Sequence, residues 1–362
     1  MKQLLLLFLF LSAICQAQTP SLNDHTVCFY YNWYGSNSID GNNYHWAHPV
    51  MPQNDNDTTK KFFPGNGDIG ANFYPSNGEY SSADPALIEK HMQEIESAGI
   101  GIIAVTWLGE NDYTFKSVTP LLDAASRHGI KVCFQIEPIV RKTVFSTCDA
   151  VRFIIDKFGN HPAFYKSKET NRPMFFVYDS YVIPAKEWAV VLSDSGKQSI
   201  RNSKYDSDMI GLWCWKEDSL FFEQSGFDGF YTYFASRGFT FGSTPENWSS
   251  LQKWADLHKQ IFIPSVGPGY NDERIRPWNT RNNKDRENGK YYDRMFEDAI
   301  ASKVKWIGIT SFNEWHEGTQ IEPATKHIVK QYQFLDYGEL NENYYLIRTN
   351  YWLQQWKESK SH

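Results

Sequence analysis

Long hydrophobic runs are missing from this chain. The apolar stretch at residues 4–11 is too short to cross a bilayer, and no other segment approaches a span, so no membrane-spanning helix is expected. Positive charge is not in excess either: 36 Lys and Arg stand against 42 Asp and Glu, a net charge of −6, and no basic stripe suggests a nucleic-acid partner. Cysteine is scarce, five in all, and none sits in a C-x-x-C or other metal-ligand spacing. No glycine-rich phosphate loop follows the first apolar run, which counts against nucleotide binding there. The G-x-S-x-G nucleophile elbow is absent as well, which counts against serine-hydrolase chemistry.

The start of the chain has its own pattern. Lys2, the run at 4–11 and the small and polar residues at 13–17 describe a secretory signal peptide, with cleavage expected after Ala17 or Gln18. The expectation is an exported protein of bacterial type, periplasmic or extracellular, in which residues 1–18 are removed and 19–362 form one catalytic domain. Cys28, Cys133, Cys148 and Cys214 remain. The first, second and fourth lie in apolar segments and read as small buried hydrophobes. One disulfide is admitted among them and none is required.

What the chain has in abundance is aromatic residues, 16% of the total with 13 Trp, 21 Tyr and 25 Phe. Short apolar runs at 27–33, 101–107, 131–136, 173–178, 209–213, 229–234, 261–264 and 305–310 alternate with helical patterns. Their near-continuous apolar character suits parallel strands covered by helices. Asp84-Pro85 reads as an N-cap with Pro at the first helical position, Thr119-Pro120 as a second such start, and Gly129 as the stop of that helix. Eight βα-like units without a linker predict a single (β/α)8 TIM-type barrel, with an open doubly wound sheet as the alternative. The long polar loop at 35–82 is expected to lie over the catalytic face.

In such a barrel the active site lies where strand C-termini meet the following loops. Those ends collect Tyr31, Asn32 and Trp33, then His45 and His48, Trp107, Gln135 and Glu137, Tyr178 and Asp179, Tyr233, and finally Asn313, Glu314, Trp315, His316 and Glu317. Aromatic walls with a few acids, amides and imidazoles describe a sugar-binding cleft. Glu314 and Glu317 stand three residues apart, a spacing that on a helical turn brings Cβ atoms within about 5–6 Å. Two carboxyls straddling one bond are what glycosidic cleavage needs. A solvated pair on a surface turn is the plain alternative, and the position of the motif after an apolar strand weighs against it. His45-x-x-His48 lacks a third ligand at a diagnostic spacing, so neither a metal nor another cofactor is expected.

The chain resembles glycoside hydrolase family 99, the endo-α-mannosidases and endo-α-mannanases. The segments that carry the resemblance are FYYNWYG (29–35), HWAH (45–48), DIGANFYP (68–75), GEYSSADP (78–85), FDGFYTYFAS (227–236), IPSVGPGY (263–270), IRPWN (275–279), NGKYY (288–292) and SFNEWHEGTQIE (311–322). The resemblance implies a (β/α)8 barrel and retaining, endo-acting cleavage of α-1,2-mannosidic bonds without a metal, in α-mannan or high-mannose oligosaccharides. It implies Glu314 as base and Glu317 as acid/base, acting through a 1,2-anhydro sugar. It further implies Tyr233 near the reacting sugar, Glu137 near its hydroxyls, Trp107 walling the neighbouring subsite, and Tyr31 and His45 as further contacts. Tyr178, Asn313 and Trp315 complete the expected substrate-binding set, and a monomer is expected. Where vertebrate members read Trp-Tyr this chain has Trp107-Leu108, which favours mannose over glucose in that subsite. A carbohydrate-binding protein on a catalytically silent barrel is the competing function.

Overall fold

The computed structural model describes residues 21–52, 62–138 and 142–360; the expected signal peptide falls within residues that lie outside this set. Nine parallel strands form one sheet: β1 (Asn23–Tyr30), β2 (Ile100–Trp107), β3 (Lys131–Ile136), β4 (Met174–Val177), β5 (Asp208–Leu212), β6 (Gly229–Tyr231), β7 (Ile261–Ile263), β8 (Ser265–Val266) and β9 (Ile307–Ile309). Each of the eight predicted runs overlaps one of these strands. Pairing follows chain order from β7 back to β1, then passes to β9 and β8. β7 and β8 are successive pieces of one extended segment, interrupted at Pro264, which has no N–H to give to a ladder. β7 pairs with β6 through Ile261 and Gly229, and β8 pairs with β9 through Ser265 and Gly308. Both edges of the sheet thus meet in one segment, and the barrel closes but for the break at Pro264. The open doubly wound alternative is overturned by that closure.

Helices lie between the strands: α1 (Pro85–Ser97), α2 (Phe115–Arg127), α3 (Val144–Phe158), α4 (Ala185–Leu192), α5 (Asp218–Ser225), α6 (Trp248–His258), α7 (Lys290–Ala301) and α8 (Tyr344–Ser359). The Asp84 carboxylate caps α1 by accepting from the Ala86 N–H at 2.9 Å, as the sequence predicts. The second predicted start is wrong. α2 begins at Phe115, and Pro120 lies inside it, because Ser117 and Val118 are buried ahead of the proline and extend the helix backwards. Gly129, at φ 69°, does close that helix. All four described cysteines are free and buried, so the admitted disulfide is not formed. No helix among the described residues is long and apolar enough to cross a membrane.

Alternation along the strands builds the site's floor and walls together, since residues two apart face the same side. Inside the barrel Phe29, Phe176 and Tyr231 form an aromatic layer, with Phe29 5.3 Å from Phe176 and 5.5 Å from Tyr231 between ring centroids. Two residues further along each chain stand Tyr31, Tyr178 and Tyr233. The same parity turns Trp107 the other way. Its ring packs at 5.7–5.9 Å against Phe115, Phe134 and Phe153, between the sheet and α2 and α3. Replacing Phe29 by Ala should destabilise the fold by about 3–5 kcal/mol, as for other large aromatic truncations in a core. Urea unfolding checks this, and activity should fall with it because the floor under Tyr233 is removed.

Candidate active site

Residues after β9 form a narrow hairpin with Glu314 to Glu317 at its tip. The Ser311 N–H donates to the Thr319 carbonyl at 2.9 Å, the Ile321 N–H to the Ser311 carbonyl at 2.9 Å, and the Glu322 N–H to the Phe312 carbonyl at 2.9 Å. The tip is a turn and not a helix, closed by the Gly318 N–H on the Trp315 carbonyl at 3.2 Å. Gly318 adopts φ 62°, and a Cβ there would meet the Asn271 carbonyl oxygen at 2.8 Å. That close approach lets the Asn271 N–H donate to the Glu317 carbonyl at 2.8 Å.

The turn directs Glu314, His316 and Glu317 into a cavity of about 170 Å³ at the C-terminal end of the barrel. Tyr31, Trp33, His45, His48, Gln135, Glu137, Tyr178, Tyr233, Ile275 and Arg276 complete its lining. Of the ten expected site residues, seven meet here: Tyr31, His45, Glu137, Tyr178, Tyr233, Glu314 and Glu317. Three do not. Trp107 faces the helices by strand parity, and Leu108, half-buried, is also outside the lining. Trp315 is 0% exposed, and its indole N–H donates to the Tyr80 hydroxyl and the Glu322 carboxylate at 3.0 Å each, behind the turn. The Asn313 carboxamide accepts from the Tyr31 N–H at 2.7 Å and donates to the Tyr31 carbonyl at 2.8 Å, so its polar atoms serve the backbone. Trp315 and Asn313 are therefore supports of the turn and not walls of the cavity. Arg276 was missed. It stands in a polar loop with no periodic pattern, and only the fold brings it to the acids.

Burial dominates the electrostatics. It raises the pKa of both Glu314 and Glu317, and each also feels the other residues around it: Glu317 raises Glu314, while the Arg276 guanidinium lowers both. Arg276 Nη1 is 3.4 Å from Glu317 Oε1 and 3.1 Å from Asp272 Oδ2. Burial likewise pushes Glu137 up to about 7, against hydrogen bonding from Gln135 and the positive charge of Lys142. The hydroxyls of Tyr31 and Tyr233 are hydrogen-bonded to each other, and burial with nearby carboxylates keeps both protonated. His45, at φ 59°, stacks on Trp33 with centroids 4.4 Å apart and planes at 5°. Burial lowers the pKa of His45, to about 3, and of His48 and His316, so all three imidazoles are neutral near pH 7. Part of the 35–82 loop, residues 53–61, lies outside the described residues; Trp46 of that loop packs on Tyr34 at 4.1 Å and His48 on His316 at 4.7 Å. Among the described residues no group of three or more His, Cys, Asp or Glu side chains is placed to hold a metal ion.

A closed βα barrel with two buried carboxyls and an aromatic floor at its C-terminal mouth is the architecture of a glycoside hydrolase. The model of glycosyl hydrolase family 99 matches residues 21–358. The chain is similar to glycoprotein endo-alpha-1,2-mannosidase of Rattus norvegicus, 43% identical over 95% of this chain and 77% of that protein. The Xenopus laevis protein of the same name is 44% identical over 95% and 79%. Among solved structures, the family 99 endo-alpha-mannosidase from Bacteroides thetaiotaomicron superposes with a TM-score of 0.92, at 49% identity, covering 94% of this chain and all of that one. The chain belongs to glycosyl hydrolase family 99 and is a glycoside hydrolase.

The Glu137 shift has a consequence for stability. Between pH 4.5 and about 7 the unfolded chain releases this proton while the fold retains it, so stability should fall as pH rises through that window. Below the window both states are protonated and above it both are ionised. Glu137→Gln should flatten that part of the pH–stability curve, read by urea unfolding across the window.

Proposed function

We propose that this chain is a retaining endo-α-1,2-mannosidase acting on α-mannan or high-mannose glycans, with Glu314 as base and Glu317 as acid/base. The observation that carries this reading is that both carboxyls, Glu314 buried and Glu317 half-buried, line a single cavity at the barrel mouth together with Tyr31, Glu137, Tyr178 and Tyr233. The names of the similar proteins supply the substrate class. In an α-mannoside the axial O2 and the axial leaving oxygen are anti, so O2 can attack the anomeric carbon from behind. Glu314 takes the O2 proton while Glu317 protonates the departing oxygen. The resulting 1,2-anhydro sugar is opened by water, activated at Glu317. Export through residues 1–18 and a single catalytic domain over 19–362 belong to the same reading and rest on sequence.

The protein's own charges do not by themselves set this proton arrangement. Arg276 is bonded to Glu317 and therefore favours the charge there, whereas the proposed cycle begins with the charge on Glu314. The 2-hydroxyl of the sugar, donating to Glu314, supplies the bias toward ionising that residue. A specific alternative follows: a reversed pair, or a carboxylate that attacks the anomeric carbon directly.

Removing either acid should lower kcat by about 10²–10⁴-fold, the usual worth of a general acid or base. Glu317→Gln should lose more on an oligosaccharide, with its poor leaving group, than on α-mannosyl-1,3-α-mannosyl fluoride. Glu314→Gln should lose similarly on both. The opposite pattern reverses the roles, and labelling of either Glu by a 2-deoxy-2-fluoro sugar replaces the anhydro route by a covalent one. Fluoride release from neither the mannosyl nor the matched glucosyl compound sinks the mannosidase reading, and the faster of the two fixes the sugar preferred beyond the cleaved bond.

A further inference from the structure

Three imidazoles, of His45, His48 and His316, line the cavity, and the roles discussed so far use only the first. His316 lies between the two glutamates in sequence and is 3% exposed. Its Nδ1 is 2.9 Å from the Gly70 carbonyl, and a carbonyl only accepts, so Nδ1 carries the proton. The neutral ring therefore presents a bare lone pair at Nε2, and among the described residues that buried atom has no hydrogen-bond partner. His48 repeats the arrangement: its Nδ1 donates to the Pro49 carbonyl at 2.8 Å, which fixes the same tautomer and leaves Nε2 as an acceptor. The two rings lie 4.7 Å apart between centroids. Both line the catalytic cavity beside Arg276 and Glu317.

The arrangement is built and not incidental. Gly70 is held by its N–H on the Trp46 carbonyl at 2.9 Å, and a Cβ at Gly70 would come within 3.0 Å of the His48 Cβ and carbonyl oxygen. A side chain at this position would crowd His48, and glycine avoids that while its carbonyl fixes the His316 tautomer. An unpartnered acceptor in a buried wall is an unfavourable thing to keep unless something donates to it. The protein side of the cavity near Glu317 thus offers acceptors at the imidazoles and a donor at Arg276, a combination that reads hydroxyl groups by their hydrogens.

We propose that His316 Nε2 and His48 Nε2 form the binding wall for the leaving sugar, accepting hydrogen bonds from its hydroxyls. The proposal rests on Glu317 as the acid, because that assignment places the departing oxygen, and the sugar attached to it, on the Glu317 side. Tyr31, Glu137, Tyr178 and Tyr233 then hold the sugar whose bond is broken, and the imidazole wall sets which sugar can depart.

His316→Asn tests this without disturbing the fold's tie to Gly70, because the Asn amide nitrogen occupies the place of Nδ1 while the acceptor at Nε2 is lost. The readout is the ratio of kcat/KM on an α-1,2-linked manno-oligosaccharide to kcat/KM on α-mannosyl-1,3-α-mannosyl fluoride, whose leaving group is not a sugar. The ratio should fall about tenfold or more, the worth of one buried hydrogen bond to substrate. His48→Asn, at a half-buried position, should move it in the same direction and guards against a folding defect at the buried site. A leaving sugar made deoxy at the recognised hydroxyl should be penalised in the unaltered enzyme and not in His316→Asn. Equal losses on both substrates overturn the proposal in favour of a structural or water-orienting role, and no loss on either overturns it outright. If the unaltered enzyme cleaves the fluoride but Glu317→Gln shows no leaving-group dependence, the acid assignment fails and the leaving-sugar wall with it. If it cleaves neither substrate, the mannosidase reading itself has failed.

Discussion

The carboxamide of Asn313 ties the first strand of the barrel to the turn that carries Glu314 and Glu317, and much of the site depends on that tie. β1 and β9 stop pairing just before their chains reach the cavity; the Phe312 N–H still reaches the Phe29 carbonyl at 2.8 Å, and the Asn313 side chain then bonds both the N–H and the carbonyl of Tyr31. Strand pairing is thereby continued by a side chain where the backbone must depart to form the turn. Tyr31 is fixed against Glu314 and Glu317 by the same two bonds. Behind the turn Glu322, fully buried, accepts from Tyr80 at 2.7 Å, Trp315 at 3.0 Å, and Asn77 and His91 at 3.1 Å each. A buried carboxylate with four donors holds a position firmly, because losing any one leaves a charge or a donor unsatisfied in the interior. Trp315 transmits that position to the residues on either side of it, Glu314 and His316, both of which face the cavity.

The second constraint is burial without neutralisation. Two carboxyls and Glu137 face one small cavity over an aromatic floor, with Arg276 near one of them. Such a site destabilises the fold, and so do the backbones at His45, Asp179 and Tyr233, at φ 59°, 51° and 47°. Positive φ in residues this bulky costs about 1–3 kcal/mol each and persists only where the surroundings over-determine it. Here the surroundings are a parallel barrel whose strands are buried on both faces. The strain and the raised acids sit together at its C-terminal mouth, and the continuous core of Phe29, Phe176 and Tyr231 beneath them carries the load.

The fold was legible in the sequence because parallel strands are apolar along their whole length and the helices between them are amphipathic, so both kinds of element announce themselves. The acids were legible because they follow the last strand directly. What was not legible is which face a residue takes once the strand ends. Trp107 looked like a cavity wall, yet it is one residue out of phase with Thr106 and so packs outward. Trp315 and Asn313 sit beside Glu314 and Glu317 in sequence, but a turn, unlike a helix, sends neighbours in opposite directions. Pro120 looked like a helix start because a proline at a first position and a proline on a solvent-facing turn have the same local sequence. Arg276 arrives from a loop some forty residues before Glu317, and no periodicity marks a residue whose place is set only by tertiary closure.

The division of polarity within the cavity bears on the proposed mannoside substrate. On one side stand groups that donate or titrate, the Tyr31 and Tyr233 hydroxyls and the Glu137 carboxyl; on the other stand neutral imidazoles that accept. A reaction in which the sugar's own O2 becomes the nucleophile requires the protein to withdraw a proton without offering an atom to the anomeric carbon. Buried carboxyls with raised pKa values suit that task, since a base in a poorly hydrated pocket gains more from a donated hydroxyl than one already solvated. In the proposed cycle water is needed only in the second step, to open the strained ring, and it enters from the side the leaving sugar has vacated. The wall proposed to receive the departing sugar would therefore border the path of the water that replaces it.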